Sequence, residues 1–197
     1  MLDLIFASNN PHKVKEIGSI IGPDFRLSSL ADLEITDDIP ENELTLEGNA
    51  LAKARYVHRI TGKNVFADDT GLETEALNGM PGVHSARFAG ESKNSDANIG
   101  KLQSLLQGKE NRKARFRTVI ALVWNSKEYL FDGTVSGEII KEKRGTGGFG
   151  YDPVFVPEGR NKTFAEMSLE EKNTLSHRAR AFEKLREFLV GIARQAQ

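Results

Sequence analysis

Short apolar segments alternate with helix-like patterns in the first part of the chain. Leu2–Ala7 is a mainly apolar run and predicts a buried strand. Asn10 suits the N-cap of a helix, and Pro11 suits its first position. Apolar residues then recur at helical spacing as far as Gly22, where we expect the helix to stop. The chain therefore opens with a strand, a tight turn and a helix N-terminus.

A second helix and a second strand follow an acidic, loop-rich segment at 23–45. Residues 46–60 carry an apolar face at helical spacing, and Gly62 is the expected terminator. Residues 64–67 predict a short buried strand that ends at the Asp68-Asp69 pair. This second strand thus delivers two carboxylates to the edge of a predicted sheet.

The middle of the chain combines a loop, a helix and a hairpin. The segment 78–93 contains Gly, Pro and Ser and predicts a long functional loop. Asn94 or Ser95 caps a third helix, whose inner face carries Ile99, Leu102, Leu105 and Leu106. Residues 115–124 and 128–135 are strand-like, and a turn at 125–127 makes them a hairpin.

The last part of the chain predicts a glycine-rich loop at 145–152, a strand at 154–156 and a final helix. Ser168 and Glu171 fit a capping box at the start of that helix. One helix face then carries Leu175, Ala179, Phe182, Leu185 and Leu189. The pattern as a whole indicates the α/β class, with a mixed β-sheet flanked by helices in a single domain over residues 1–197.

Composition narrows the function classes. The chain has 197 residues, a formal net charge of −1 and no cysteine. The absence of cysteine excludes disulfides, a cysteine nucleophile and thiolate metal sites. The balanced charge argues against a nucleic-acid or anionic-membrane partner. Apolar runs are too short for a membrane span, and no basic segment precedes the first one, so we expect a cytoplasmic enzyme or nucleotide-binding module.

The turn after the first strand is a candidate anion site. Free N–H groups and the positive end of the helix dipole both favour a phosphate there. Lys13 lies in the first helical turn and can add a positive charge. The residues of this loop are Ser8, Asn9, Asn10, Pro11, His12 and Lys13. The alternative is an ordinary capped helix.

The Asp68-Asp69 pair is a candidate metal or base site. Neighbouring carboxylates provide the hard oxygen ligands that Mg²⁺ prefers, and one of them can accept a proton from water. A loop acid from the stretch Asp37-Asp38 to Glu41-Glu43 can complete such a site. The alternatives are a solvated turn for the pair and a solvated loop for the stretch.

Two further segments carry candidate ligand contacts. The glycines at 145–150 match the dinucleotide spacing weakly, because a strand rather than a helix is predicted to follow. They still allow a ligand close to the backbone, and Phe149 and Tyr151 can stack on a base. Lys172, His177 and Arg178 can donate to phosphates or to base oxygens, or they form a solvated helix face. The four histidines lack zinc-site spacing.

Five ordered motifs together resemble the inosine triphosphate pyrophosphatase family in its bacterial form. The resemblance covers about residues 5–190. The motifs are Ser8-Asn9-Asn10-x-His12-Lys13, 66–72 (FADDTGL), 81–90 (PGVHSARFAG), 148–155 (GFGYDPVF) and Ser176-His177-Arg178.

The resemblance implies an elongated mixed sheet with two lobes, a substrate cleft between them, a homodimer and a Mg²⁺ requirement. The implied reaction converts a purine nucleoside triphosphate (ITP, dITP or XTP) and water to the monophosphate and pyrophosphate. Such an enzyme removes deaminated purines from the nucleotide pool.

The resemblance also assigns roles by position. Asp69 is the implied base, with Asp68 as the second candidate. Asp69 and Glu41 bind Mg²⁺, with Glu41 preferred to Glu43. The implied substrate contacts are the Ser8–Lys13 loop, Lys53, Thr70, Phe149, Gly150, Tyr151, Asp152, Lys172, His177 and Arg178.

Selectivity is expected to depend on the purine 6-oxygen, because donors such as His177 or Arg178 donate to it and clash with the adenine amine. Rejection of guanine depends on its 2-amino group, and the sequence does not identify the residue that contacts this group. Two alternatives stay open, a nucleotide-binding sensor without turnover and a Maf-like pyrophosphatase that acts on modified pyrimidines or other nucleotides.

Overall fold

The computed structural model describes residues 2–37, 39 and 41–195, with side chains as far as residue 192. Within these ranges the chain forms seven strands and five α-helices. The strands are β1 (Leu2–Phe6), β2 (Phe25–Ser29), β3 (Val65–Thr74), β4 (Pro81–Gly82), β5 (Lys113–Trp124), β6 (Lys127–Ile139) and β7 (Phe155–Pro157). The helices are α1 (Pro11–Gly18), α2 (Leu46–Thr61), α3 (Ser95–Leu105), α4 (Leu169–Asn173) and α5 (His177–Gln195).

The strands form one mixed sheet in the order β2-β1-β3-β5-β6-β7, and β4 pairs with β3. β1 runs parallel to β2 and to β3, with Phe6 opposite Phe66. β7 runs antiparallel to β6, and β4 runs antiparallel to β3. Parallel pairs need crossover helices, whereas antiparallel pairs need only turns, so the mixture follows from the alternation of helices and hairpins. The predicted α/β class with a mixed sheet is confirmed.

The chain divides into two compact units. Unit 1 comprises the chain up to Asp69, Thr118–Gly133 and the chain from Arg178, and unit 2 comprises Thr70–Arg117 and Thr134–His177. Each unit has its own apolar core. The core of unit 1 is built from Leu4, Phe6, Ile17, Ile21, Phe25, Phe66, Ile120, Leu122, Ala181, Phe182, Leu185 and Leu189. The core of unit 2 includes Leu72, Ile99, Leu102, Phe116, Ile139, Tyr151, Phe155, Phe164 and Leu175.

The predicted start of α1 is confirmed, but its end is not where we expected it. Asn10 is the N-cap, and its side chain accepts hydrogen bonds from the backbone N–H groups of His12 and Lys13. The helix ends at Gly18, before the predicted stop at Gly22. Ile21 nevertheless packs in the core of unit 1, which accounts for the apolar periodicity beyond the helix.

Three other elements differ from the sequence prediction. The segment 23–45, predicted as loop-rich, contains β2, which pairs with all five residues of β1. The predicted single final helix is two helices, because the backbone turns at 174–176 between α4 and α5. Leu175 lies in that turn and packs in the core of unit 2. In α3, Leu105 is exposed, so only part of the predicted apolar face is buried.

The predicted hairpin is confirmed and is longer than expected. Asn125 and Ser126 link β5 to β6, and both have positive φ angles of 48° and 62°. Two consecutive residues of this kind form the tight turn whose twist matches a hairpin. Among the residues that the structure describes, no helix has the length and apolar character needed to cross a membrane.

Candidate active site

The two adjacent aspartates lie inside β3 rather than after it. The strand continues to Thr74, because Leu72 and Glu73 pair with β4. The placement of the aspartates at a strand end was therefore wrong, and so was the alternative of a solvated turn, since both side chains are buried. Neighbouring strand residues point to opposite faces of the sheet. Asp68 and Asp69 consequently have different partners and different chemistry.

Asp68 holds together two helices of unit 1. One carboxylate oxygen accepts from Lys13 Nζ of α1 at 2.8 Å, and the other accepts from Arg178 Nε of α5 at 3.0 Å. Arg178 also donates to the buried carboxylate of Glu16 on α1. Burial alone would raise the pKa of Asp68, but the charges of Lys13, Arg178 and Lys53 outweigh it and hold this pKa well below its usual range. A carboxylate that is so firmly charged and so fully engaged is a poor proton acceptor.

Asp69 faces α2 instead. Asn49 Nδ2 donates to Asp69 Oδ2 at 3.1 Å, and Lys53 Nζ lies 3.6 Å from Asp69 Oδ1. Burial raises the pKa of Asp69 above its ordinary value and the Glu41 carboxylate adds to this, although Lys53 and Lys13 act in the opposite direction. A raised pKa makes this carboxylate a better proton acceptor than Asp68.

Lys53 brings Glu41 to the same place. Its ammonium group donates to Glu41 Oε1 at 2.6 Å. Burial opposes the charge on Lys53, but Asp69, Glu41 and Asp68 outweigh it and raise the pKa of Lys53 above its ordinary value. Glu43 is exposed and lies before α2, whereas Glu41 shares Lys53 with Asp69. Asp38 of the same acidic stretch lies outside the described residues.

The loop before α1 is a capped helix start, as in the alternative stated above, and its anion site stays a prediction. The Ser8 hydroxyl accepts from the Asn10 N–H, and the Asn10 side chain closes the first turn of the helix. Asn9, Pro11 and His12 are exposed. Lys13 is partly buried, and burial lowers its pKa although Asp68 acts against this. Together with the residues above, these side chains make a charged cluster of unit 1, which we define as Lys13, Glu16, Glu41, Lys53, Asp68, Asp69 and Arg178.

Asp152 organises the glycine-rich loop of unit 2. Its Oδ2 atom accepts from the Phe149 N–H at 2.8 Å and from Lys172 Nζ at 2.7 Å. Gly148 has a φ of 69°, and a Cβ atom there would overlap the Asp152 carboxylate. Lys172 Nζ also lies 5.1 Å from the centre of the Phe149 ring, within cation–π range. The loop is thus held in one shape by a buried ion pair and needs glycine to adopt it.

The remaining predicted contacts of unit 2 differ in exposure. Tyr151 packs in the core, and its hydroxyl donates to the Ser85 carbonyl oxygen. His177 is buried, and its ring stacks on Phe116 with centroids 4.6 Å apart. Thr70 and Gly150 are half-buried. Because Lys172, His177 and Arg178 are all buried, the alternative of a solvated basic helix face is wrong.

Two residues of the site were missed by sequence reasoning. Asn49 is buried on α2 one turn before Lys53, where it fixes Asp69 and accepts from the Glu43 N–H. Glu16 is buried on α1 one turn after Lys13. Both residues could have been found from their spacing. Each is a polar residue one helical turn from a candidate site residue, and residues at this spacing share a helix face.

Comparison with known proteins decides the family. A model of the Ham1 family matches residues 4–188. The chain belongs to this family. A dITP/XTP pyrophosphatase of Porphyromonas gingivalis is 53% identical over 191 residues, and the match covers 96% of this chain and 98% of that protein. A dITP/XTP pyrophosphatase of Flavobacterium johnsoniae is 51% identical over 189 residues, with 96% and 98% covered.

The solved structure of the Staphylococcus aureus Ham1 protein shares the fold. It superposes with a TM-score of 0.86 at 42% identity, covering 96% of this chain and 98% of that one. The resemblance to a pyrophosphatase family that the motifs indicate is therefore confirmed, and the chain is an enzyme of the Ham1 hydrolase family. The buried polar network around β3 is accordingly part of a Ham1 enzyme.

Proposed function

We propose that this Ham1 enzyme hydrolyses dITP, ITP and XTP to the nucleoside monophosphate and pyrophosphate. The observation that carries the proposal is the charged cluster of unit 1. The ammonium groups of Lys13 and Lys53 lie close to two adjacent carboxylates of β3. Lys13 contacts Asp68, and Lys53 contacts Asp69. Hydrolysis of a triphosphate needs positive charge for the phosphates and a base for water, and the cluster contains both. The names of the relatives supply the substrate class.

The donor set of the cluster fits a divalent cation such as Mg²⁺. Glu41 and Asp69 both direct a carboxylate oxygen to one cation, the Lys53 ammonium group. Hard oxygen ligands of this kind suit Mg²⁺, which keeps several waters and takes others from phosphates. The described residues contain no group of three or more acidic, histidine or cysteine side chains placed for a metal, so water and substrate would complete the coordination. When bound, Mg²⁺ neutralises phosphate charge and acidifies water.

The residues of this chain supply the remaining chemistry. The Ser8–Lys13 loop contacts the triphosphate, and Lys13 and Lys53 add positive charge. Asp69 accepts the proton of the attacking water. The water oxygen bonds to the α-phosphorus, and the bond to the oxygen that bridges to the β-phosphorus breaks. Pyrophosphate leaves with the electron pair of that bond.

We assign recognition of the base to Phe149, Lys172 and His177. Phe149 is the better stacking candidate, because Tyr151 is a core residue. Lys172 and His177 are donors suited to the 6-oxygen of hypoxanthine or xanthine, and neither suits the adenine amine, which is itself a donor. Two nitrogens of Arg178 already donate to Asp68 and Glu16, so its main contribution is to hold Asp68. Its predicted purine contact stays a prediction.

Hydrolysis in water enriched in oxygen-18 tests the proposed point of attack. We expect the label in the monophosphate, because the water oxygen bonds to the α-phosphorus. Mass spectrometry of the two products makes the assignment, and a reaction in unlabelled water is the control. Label in pyrophosphate, or products that are a diphosphate and orthophosphate, would contradict the mechanism.

We also propose that the enzyme is a homodimer and acts on the nucleoside triphosphate pool of the cytoplasm. The support for the dimer is the resemblance carried by the sequence motifs. Light scattering during size-exclusion chromatography is expected to give twice the chain mass of 21.8 kDa. A mass equal to one chain at assay concentration would overturn the dimer.

A further inference from the structure

The ammonium group of Lys53 lies where the proposed metal site has its two carboxylates. Lys53 Nζ is 2.6 Å from Glu41 Oε1 and 3.6 Å from Asp69 Oδ1. The second oxygen of Asp69 is bound to Asn49. One oxygen of each carboxylate is therefore directed to Lys53.

A divalent ion and this ammonium group compete for the same two oxygens. Mg²⁺ needs its oxygen ligands at about 2.0–2.1 Å. An ammonium group 2.6 Å from one of those oxygens and 3.6 Å from the other would then lie close to a doubly charged ion, and the two like charges repel. Binding of the ion to these two oxygens thus favours a position of Lys53 Nζ farther from at least one of them.

We propose that Lys53 is a placeholder cation that keeps free divalent ions out of the site until a nucleotide arrives. Without nucleotide, Lys53 neutralises Glu41 and Asp69 and so weakens their affinity for a metal. A metal that arrives with a triphosphate displaces the ammonium group, whose new partners are the anionic phosphate oxygens. This inference rests on the proposed function, since it needs a triphosphate as the second partner.

The surroundings of Lys53 allow such an exchange. The lysine side chain is a flexible four-carbon stem, so its ammonium group can move while α2 stays in place. Asn49, one turn earlier on the same helix, keeps Asp69 oriented during the exchange. Lys13 offers a matched comparison, because it is also partly buried in the cluster but donates to Asp68.

Titration of the nucleotide-free protein with Mn²⁺, followed by electron paramagnetic resonance, tests the inference. Mn²⁺ can replace Mg²⁺ at carboxylate sites and gives a signal in electron paramagnetic resonance. We expect Lys53→Met to bind Mn²⁺ about tenfold more tightly than the wild type, since a charged hydrogen bond no longer has to be broken. Lys53→Gln serves as a second variant in case the first does not fold. Lys13→Met is expected to change the affinity by a clearly smaller factor.

Two outcomes would overturn the placeholder role. One is equal or weaker Mn²⁺ binding by both Lys53 variants, and the other is an equal gain for Lys13→Met, which would indicate a general charge effect. Adding Asp69→Asn to Lys53→Met should abolish the gain in Mn²⁺ affinity. This result would show that the ion binds at Asp69. Pyrophosphate release from dITP by the wild type is measured in parallel. Failure of that assay counts against the proposed function, whereas unchanged Mn²⁺ binding counts against the role of Lys53.

Discussion

Replacing Asp69 with asparagine is expected to lower kcat for dITP by about 10³-fold or more, because the variant loses its general base. The loss includes a ligand of the proposed metal site. The fold should survive, because asparagine has the same shape and its amide oxygen can still accept from Asn49. Steady-state kinetics with pyrophosphate detection, together with circular dichroism, measures both effects.

Asp132→Asn is a matched control for this experiment. Asp132 is also an aspartate paired with a lysine, Lys184, but its side chain is 56% exposed. We expect wild-type kcat for this variant. A folded Asp69→Asn protein with unchanged kcat would remove Asp69 from the mechanism and would return Asp68 to consideration as the base.

Replacing Arg178 with methionine is expected to lower the free energy of unfolding by about 3–5 kcal/mol. Arg178 is only 1% exposed and donates to both Asp68 and Glu16. Without the guanidinium group, two buried carboxylates lose a partner. Urea unfolding with linear extrapolation gives the free energy, provided that the transition is two-state.

Arg26→Met is the comparison that isolates burial. Arg26 also forms a two-pronged pair with an aspartate, Asp3, but both side chains are more than half exposed. Exposed pairs of this kind contribute about 0–1 kcal/mol. Similar losses of stability in the two variants would show that the network of Arg178 does not hold unit 1 together.

Local sequence signals were sufficient to predict where α1 begins. Asn10 and Pro11 have strong positional preferences at a helix start, and the structure uses both as predicted. The turn at Asn125 and the end of α2 at Gly62 were predictable for the same reason, since each depends on residues next to it in the chain.

The pairing of charges was not predictable, because it joins distant parts of the chain. Lys13 and Asp68 are 55 positions apart, and Arg178 and Asp68 are 110 apart. A motif can place Lys13, Asp68 and Arg178 in one site. It does not say that one aspartate binds the cations of α1 and α5 while its neighbour faces α2, since that division arises from the alternation of faces along β3.

The spacing of apolar residues gave a wrong prediction at the end of the chain, where one helix was expected and two are present. Leu175 is spaced correctly for the same helix face as Phe182, so the sequence predicts one helix. In the structure Leu175 packs in the core of unit 2 and Phe182 in that of unit 1, and the helix is interrupted between them. The strand β2 was missed because only Phe25 and Leu27 of its five residues are apolar.

Selective hydrolysis of deaminated purine nucleotides is tested by pyrophosphate release with Mg²⁺ from ITP, XTP, GTP, ATP and a pyrimidine nucleoside triphosphate, measured side by side. We expect fast release from ITP and XTP and release from ATP that is slower by roughly 10⁴-fold or more, because a site built to donate to the 6-oxygen disfavours the adenine amine. Equal rates on every nucleotide would contradict the reading of the base. Tight binding of ITP without any release would contradict hydrolysis itself.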